Sequence, residues 1–101
     1  MPIKQVEFHE KANTEYDAAF DWYLERSSNA ALDFDAEVNR ALADIASAPH
    51  RWAAGPHSTR RYLLRRFPYI LIYRERERDV QIVAVAHTSR KPGYWKKRLK
   101  R

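Results

Sequence analysis

The chain of 101 residues contains no cysteine, only two glycines and a single methionine. The lack of cysteine excludes disulfide bonds, thiol catalysis and cysteine-ligated zinc, and it agrees with a reducing compartment. No apolar run approaches the roughly 18 residues that a membrane-spanning helix requires, and the N-terminal residues lack the apolar core of a signal peptide. The composition therefore predicts a cytoplasmic protein with no role in a membrane.

The four histidines do not suggest a metal site. His9, His50, His57 and His87 show no close pair of the kind that binds metal from one helix turn, and no cysteine lies beside them. The other residues of the chain do not point to a bound organic group. We therefore expect neither a metal nor another cofactor.

Charge is abundant, and it is divided unevenly along the chain. The net charge is +6, but residues 1–48 carry a net −6 and residues 49–101 a net +12. This division indicates a basic face that meets an anion, such as nucleic acid or an acidic protein segment, or two halves that neutralise each other in the fold. With 45% hydrophobic residues, the length predicts one globular domain over residues 1–101.

The spacing of apolar residues predicts an α+β fold with a helical hairpin near the N-terminus. Apolar residues recur at helical spacing from Ala12 to Leu24 and again from Phe34 to Ile45. Serine and asparagine break this pattern, and Pro49 ends the second helix. The elements expected are a strand at residues 3–8, helices at 12–24 and 30–48 separated by a break at 27–29, a loop at 49–58, and strands at 60–67, 69–75 and 80–87.

The three later strands are joined by short connections and predict an antiparallel meander. With the N-terminal strand beside it, the meander forms a four-stranded, mainly antiparallel sheet that the helices cover on one face. In the middle strand Leu71 and Tyr73 share a face, and in the last strand Val83, Val85 and His87 share one. His87 is therefore expected where the last strand ends.

The C-terminal segment is predicted to turn and form a short basic helix. Pro92 and Gly93 provide the turn, and the helix is expected to start at Tyr94. Trp95 and Leu99 are four residues apart, so both can pack inward. Because so short a helix is marginal alone, we expect it to dock on the sheet.

The segments FPYILIYR (67–74) and AVAHTSR (84–90), together with the order of the elements, resemble the RelE/ParE superfamily of toxins from bacterial type II toxin–antitoxin systems. The resemblance covers nearly the whole chain. It implies growth arrest, neutralisation by a cognate antitoxin and a hetero-oligomer with that antitoxin. In this superfamily RelE-type members cut mRNA on the ribosome, whereas ParE-type members inhibit DNA gyrase.

The residues of the basic half leave both activities open. Metal-independent RNA cleavage requires a base, a proton donor and cations on the phosphate, and His87, Arg90 and Tyr94 are suitable catalytic residues if the protein is an endoribonuclease. Binding of phosphate or of a target is predicted for Arg61, Arg65, Arg74, Arg90, Lys96, Lys97 and Arg98. A non-catalytic nucleic-acid-binding module is a third hypothesis, because aromatic residues alternate with arginines in this half.

The resemblance favours the ParE branch. RelE-type nucleases carry an arginine directly after the tyrosine of the central strand, and the residue that follows Tyr69 is Ile70. The pair Tyr73 and Arg74, and the strand that ends in His87, are similar to ParE-type toxins. The resemblance thus implies gyrase inhibition, with ribosome-dependent mRNA cleavage as the alternative.

Overall fold

The computed structural model of the protein describes residues 3–100, so Met1, Pro2 and Arg101 of the predicted domain lie outside it. Its two helices and its sheet confirm the α+β fold. No helix in this part of the chain is long and apolar enough to cross a membrane. The elements are β1 (Gln5–Phe8), α1 (Glu10–Arg26), α2 (Ser28–Ser47), β2 (Ala53–Ala54), β3 (Arg60–Leu63), β4 (Tyr69–Glu75) and β5 (Asp79–His87), with short 3-10 helices at Pro49–Arg51, Pro56–Ser58 and Lys96–Leu99.

The two long helices form the predicted hairpin, but one residue separates them instead of three. The backbone N–H of Ser27 donates to the carbonyl of Tyr23 at 2.8 Å and closes α1. The Ser27 hydroxyl accepts from the N–H of Ala30 at 3.2 Å and caps α2. Leu24, predicted at the end of the apolar stripe of α1, is exposed because the stripe stops at Tyr23.

The sheet has five strands in the order β1-β5-β4-β3-β2, so the prediction of four strands is wrong. β1 runs parallel to β5, and the other neighbours are antiparallel. The additional strand β2 lies in the segment predicted as a loop, and its two alanines pair with Arg60 and Arg61. β3 ends at Leu63 instead of Phe67, because the chain bends before β4 and the carboxylate of Glu37 accepts the backbone N–H of Arg65 there.

β5 contains a bulge at Val83. Two consecutive residues of β4 pair with Ala84 and Ile82, so Val83 has no residue opposite it. Beyond the bulge the alternation shifts by one position. Val85 lies in the apolar cluster on the helix side, whereas Val83 and Ala84 lie in the cluster that contains Trp95. The predicted shared face of Val83 and Val85 is therefore wrong.

Each face of the sheet is covered by its own apolar cluster. On the helix side Phe34 and Tyr73 are fully buried among residues of both helices and of β4 and β5. On the other face Trp95 is 5% exposed and packs on Ile72, with Leu99 at the margin, as predicted. The predicted short C-terminal helix is present as a 3-10 helix that starts at Lys96 instead of Tyr94, and the backbone hydrogen bonds of this segment join residues three apart.

Gly93→Ala is expected to destabilise the fold by about 1 kcal/mol, because Gly93 has φ +77° and a side chain in this region strains the backbone. Steric contact adds little, since an added Cβ meets only the Lys96 side chain at 3.7 Å. Urea unfolding measures the change. Gly55→Ala is the control, because Gly55 has φ −135° and the substitution should cost less there; equal losses would contradict the prediction.

Candidate target-binding surface

Glu15 on α1 holds the C-terminal segment against the edge of β5. Its Oε1 accepts the N–H of Val85 at 2.9 Å and Nη1 of Arg98 at 2.9 Å. Its Oε2 accepts the hydroxyl of Tyr94 at 2.7 Å and Nη2 of Arg98 at 2.8 Å. The side chains of Glu15 and Arg98 are only 16% and 11% exposed. A nearly buried, bidentate ion pair therefore fastens residues 94–98 to α1.

The ion pair of Glu15 and Arg98 also provides hydrogen-bond partners for backbone groups of β5 that pair with no neighbouring strand. β1 pairs with β5 only as far as Ile82, and the N–H of His9 donates to the Ile82 carbonyl at the end of this pairing. Beyond that point Arg98 donates to the carbonyl of Val83 at 3.0 Å, and Glu15 accepts the N–H of Val85. The ion pair thus takes the place of a neighbouring strand along the exposed end of β5.

These contacts shift the pKa values of Glu15 and Tyr94. Burial raises the pKa of Glu15, but the hydrogen bonds from Arg98, Tyr94 and Val85 outweigh it, so the pKa lies below its usual value. Burial and the hydrogen bond to Glu15 raise the pKa of Tyr94 far above its usual value. At neutral pH Glu15 is therefore a carboxylate and Tyr94 a neutral phenol.

His87 and Arg90 form a ridge beside this network, which we call the His87–Arg90 ridge. The backbone N–H of Arg90 donates to the His87 carbonyl at 3.0 Å, and His87 Nδ1 accepts the N–H of Ser89 at 3.0 Å. The Arg90 guanidinium lies 3.8 Å from the centre of the Tyr94 ring. The His87 ring meets the Tyr69 ring edge to face at 5.2 Å. The three residues predicted as catalytic therefore lie side by side.

Two concave surfaces meet at the ridge. The first, the helix-side groove of about 460 Å³, lies between α1 and the end of the sheet and is mainly apolar, with walls that include Ala18, Trp22 and Val85. The second, the sheet-side cleft of about 240 Å³, lies between the opposite face of the sheet and the C-terminal segment. Both are bordered by His87 and Arg90.

The sheet-side cleft has an apolar floor and a partly cationic rim. Ile70, Ile72 and Ala86 line its floor, and Arg61 and Lys91 lie at its border. One wall comes from Gly55, Pro56 and Thr59, and the two residues between Pro56 and Thr59 have positive φ angles of about 60°. Such backbone is costly for residues other than glycine, so the surrounding structure must hold this wall in place.

The basic residues predicted to bind a target fall into three groups. Arg74 and Arg98 are internal ties, since Arg74 donates to Gln81 at 2.9 Å and to the carbonyl of Leu99 at 3.1 Å. Arg61 is exposed and borders the sheet-side cleft, whereas Arg65 is exposed just after β3 and borders neither the groove nor the cleft. Arg90, Lys96 and Lys97 are exposed on the ridge and on the C-terminal segment that follows it in the chain, together with Lys91, which the sequence analysis did not single out.

Glu15 is the residue of this region that the sequence analysis missed. It follows Ala12 by three positions and precedes Ala19 by four, and both alanines are buried. An acidic residue inside a buried helical stripe needs a partner, and that spacing was the available signal. Across residues 3–100, no three histidine, aspartate or glutamate side chains are grouped to hold a metal ion.

Comparison with solved structures finds the same architecture in another protein. A structure described as the chromosomal ParDE TA system from P. aeruginosa has a TM-score of 0.72 to this chain at 19% sequence identity. The match covers 84% of this chain and 96% of that chain. This likeness shows a shared fold. A comparison with curated protein sequences gives no match.

The family follows from the sequence itself. The family model described as the ParE toxin of the type II toxin–antitoxin system parDE matches residues 6–92. The chain belongs to this family and is the toxin component of a type II toxin–antitoxin system. The match includes all of β1 except Gln5, both long helices, the other strands and the His87–Arg90 ridge, but it ends before Tyr94 and the residues of the last turn.

Proposed function

We propose that this toxin arrests bacterial growth in the cytoplasm by inhibiting DNA gyrase, and that a cognate antitoxin neutralises it. The observation that carries the choice of gyrase over RNA cleavage is the state of Tyr94, one of the three residues predicted to be catalytic in an endoribonuclease. Its hydroxyl already donates to Glu15 at 2.7 Å. A group engaged in this way ties the structure together and is poorly placed to exchange protons with a substrate.

The neighbours of Tyr94 support a binding surface over a cleaving one. The guanidinium of Arg98 donates hydrogen bonds to both oxygens of Glu15 and to the carbonyl of Val83, so these N–H groups are not available to a substrate. RelE-type nucleases carry an arginine at the position of Ile70. In this chain Ile70 packs against the apolar cluster that contains Trp95. Stabilisation of an extra charge on phosphate would therefore depend on the cations that border the cleft, Arg61, Arg90 and Lys91.

The exposed cations near the ridge suit contact with a large anionic or acidic partner. Arg90, Lys91, Lys96 and Lys97 are exposed, and none of them has an ion-pair partner within residues 3–100. Cations of this kind raise the rate of association with an oppositely charged surface, and salt weakens the effect. Gyrase bound to DNA offers such a surface.

Purified toxin should inhibit the supercoiling of relaxed plasmid by gyrase, and Lys96→Gln/Lys97→Gln should weaken inhibition about tenfold, since two contacting charges are lost. The matched control is Arg40→Gln/Arg78→Gln, which removes two exposed cations elsewhere that have no ion-pair partner in the part of the chain that the structure describes. Inhibition is read from the plasmid topoisomers on a gel at several toxin concentrations. Full supercoiling in a large excess of folded toxin would overturn the proposal.

The mRNA alternative is tested in cells that express the toxin. After induction of the toxin, primer extension on abundant transcripts should give the same pattern as before induction. Codon-linked cuts that disappear in His87→Ala or Arg90→Ala would instead support ribosome-dependent cleavage. Growth arrest with intact transcripts and inhibited supercoiling is the result expected for gyrase.

A further inference from the structure

The His87–Arg90 ridge lies between the helix-side groove and the sheet-side cleft, which are on opposite faces of the sheet and are both mainly apolar. The helix-side groove offers Ala18, Trp22 and Val85, and Trp22 is 49% exposed. The sheet-side cleft offers Ile70 and other apolar side chains of its floor. A bound polypeptide that crosses the ridge can therefore place one apolar side chain in the groove and another in the cleft.

The charge left unbalanced at this surface is positive. The groove contains one carboxylate, Glu15, and its two oxygens already accept four hydrogen bonds. Arg90 lies on the crest, packs on the Tyr94 ring and has no carboxylate partner within residues 3–100. The complementary occupant has a carboxylate at the crest and apolar groups to both sides of it.

This combination fits a peptide better than a nucleic acid. Away from His87 and Arg90, the lining of the helix-side groove is apolar or aromatic except for Glu15, whose carboxylate would repel a phosphate. A nucleic acid would have to lay charged backbone along that apolar wall, which costs desolvation without a compensating contact. An acidic peptide meets the wall with aliphatic side chains and the crest with its carboxylate.

We propose that the antitoxin crosses the His87–Arg90 ridge with a short acidic segment, with apolar side chains in the helix-side groove and the sheet-side cleft and a carboxylate on Arg90. This inference rests on the antitoxin in the proposed function. Arg90 would be shielded by the segment, and Lys91 and Lys96 lie close along the chain. The antitoxin would thus neutralise the toxin by covering the cations that the target needs.

Calorimetric titration of the full toxin with the antitoxin encoded beside it tests this surface. Ala18→Tyr fills the groove from an exposed helix position, and Arg90→Glu reverses the charge on the crest. Each should raise the Kd about tenfold or more, as expected when one central contact is lost. The controls are Ala43→Tyr on the exposed side of α2 and Arg78→Glu in the turn before β5, and both should bind like the unchanged toxin.

Three outcomes would overturn the proposal. One is unchanged affinity in both Ala18→Tyr and Arg90→Glu, with circular dichroism showing folded protein. Another is equal weakening by the control variants. The last is displacement of the antitoxin by a single-stranded RNA oligonucleotide that loses its own affinity in Ala18→Tyr, which would assign the groove to nucleic acid. The titration contains no gyrase, so its result is independent of the target.

Discussion

Glu15→Ala is expected to lower the free energy of unfolding by about 3 kcal/mol, the largest effect for any charged residue of the site. The substitution leaves the guanidinium of Arg98 nearly buried without its anion, and removing one member of a buried pair costs several kcal/mol. It also leaves the N–H of Val85 and the hydroxyl of Tyr94 without their acceptor. Urea unfolding followed by circular dichroism measures the loss.

Glu25→Ala is the matched control, because Glu25 lies on the same helix with its side chain 77% exposed. Loss of such an exposed carboxylate should change the free energy of unfolding by less than about 0.5 kcal/mol. Similar effects of the two substitutions would contradict the assignment of Glu15 as the tie between α1 and the C-terminal segment.

The contribution of Glu15 should also depend on pH. Because its pKa is lower in the folded protein than in the unfolded chain, the unfolded chain binds a proton first as the pH falls. The stabilisation is therefore complete above the ordinary pKa of a glutamate and disappears as the pH falls through the lowered one. Unfolding measured from neutral to acidic pH should show a smaller loss in Glu15→Ala than in the unchanged protein.

Phe34→Ala is expected to cost about 4 kcal/mol, because removal of a fully buried aromatic ring leaves a cavity. The ring lies 5.3–5.7 Å from the rings of Tyr16, Tyr23, Phe67 and Tyr69, measured between ring centres. It therefore joins α1, α2 and the sheet. The thermal and urea midpoints should both fall.

Leu32→Ala on the same helix is the control for Phe34→Ala, since the Leu32 side chain is 62% exposed and its loss should cost less than about 1 kcal/mol. Phe34→Leu should recover a large part of the loss, because leucine refills much of the space. A loss below about 1 kcal/mol in Phe34→Ala would mean that the helices do not depend on this ring to hold the sheet.

The parts of the fold that local pattern controls were predictable from the sequence. Apolar spacing identified the helical hairpin, and alternation in β4 separated Leu71 and Tyr73 from Ile72, as the two clusters confirm. The bulge at Val83 was not predictable, because it is set by the register between two strands. β2 was not predictable either, because its two alanines have little strand propensity and pair only through the backbone.

The candidate site was predictable where residues are close in the chain. The end of a strand placed His87 beside Arg90, and the structure shows them as one ridge. The roles of Arg74 and Arg98 were hidden, since their partners lie 25 and 83 residues away along the chain, at Leu99 and Glu15. Charge alone marks such residues as basic, and only the fold shows which of them already donate hydrogen bonds inside the protein.

The way the end of β5 is closed affects how deletion mapping of this toxin should be interpreted. Removal of the residues after Gly93 would take away Arg98 and Trp95 together, which would bare the carbonyl of Val83 and the apolar face beneath the indole. An unpaired strand edge next to exposed apolar surface promotes aggregation. A truncated toxin that no longer stops growth would therefore report insolubility, and single substitutions at the exposed lysines are the appropriate way to map its contacts.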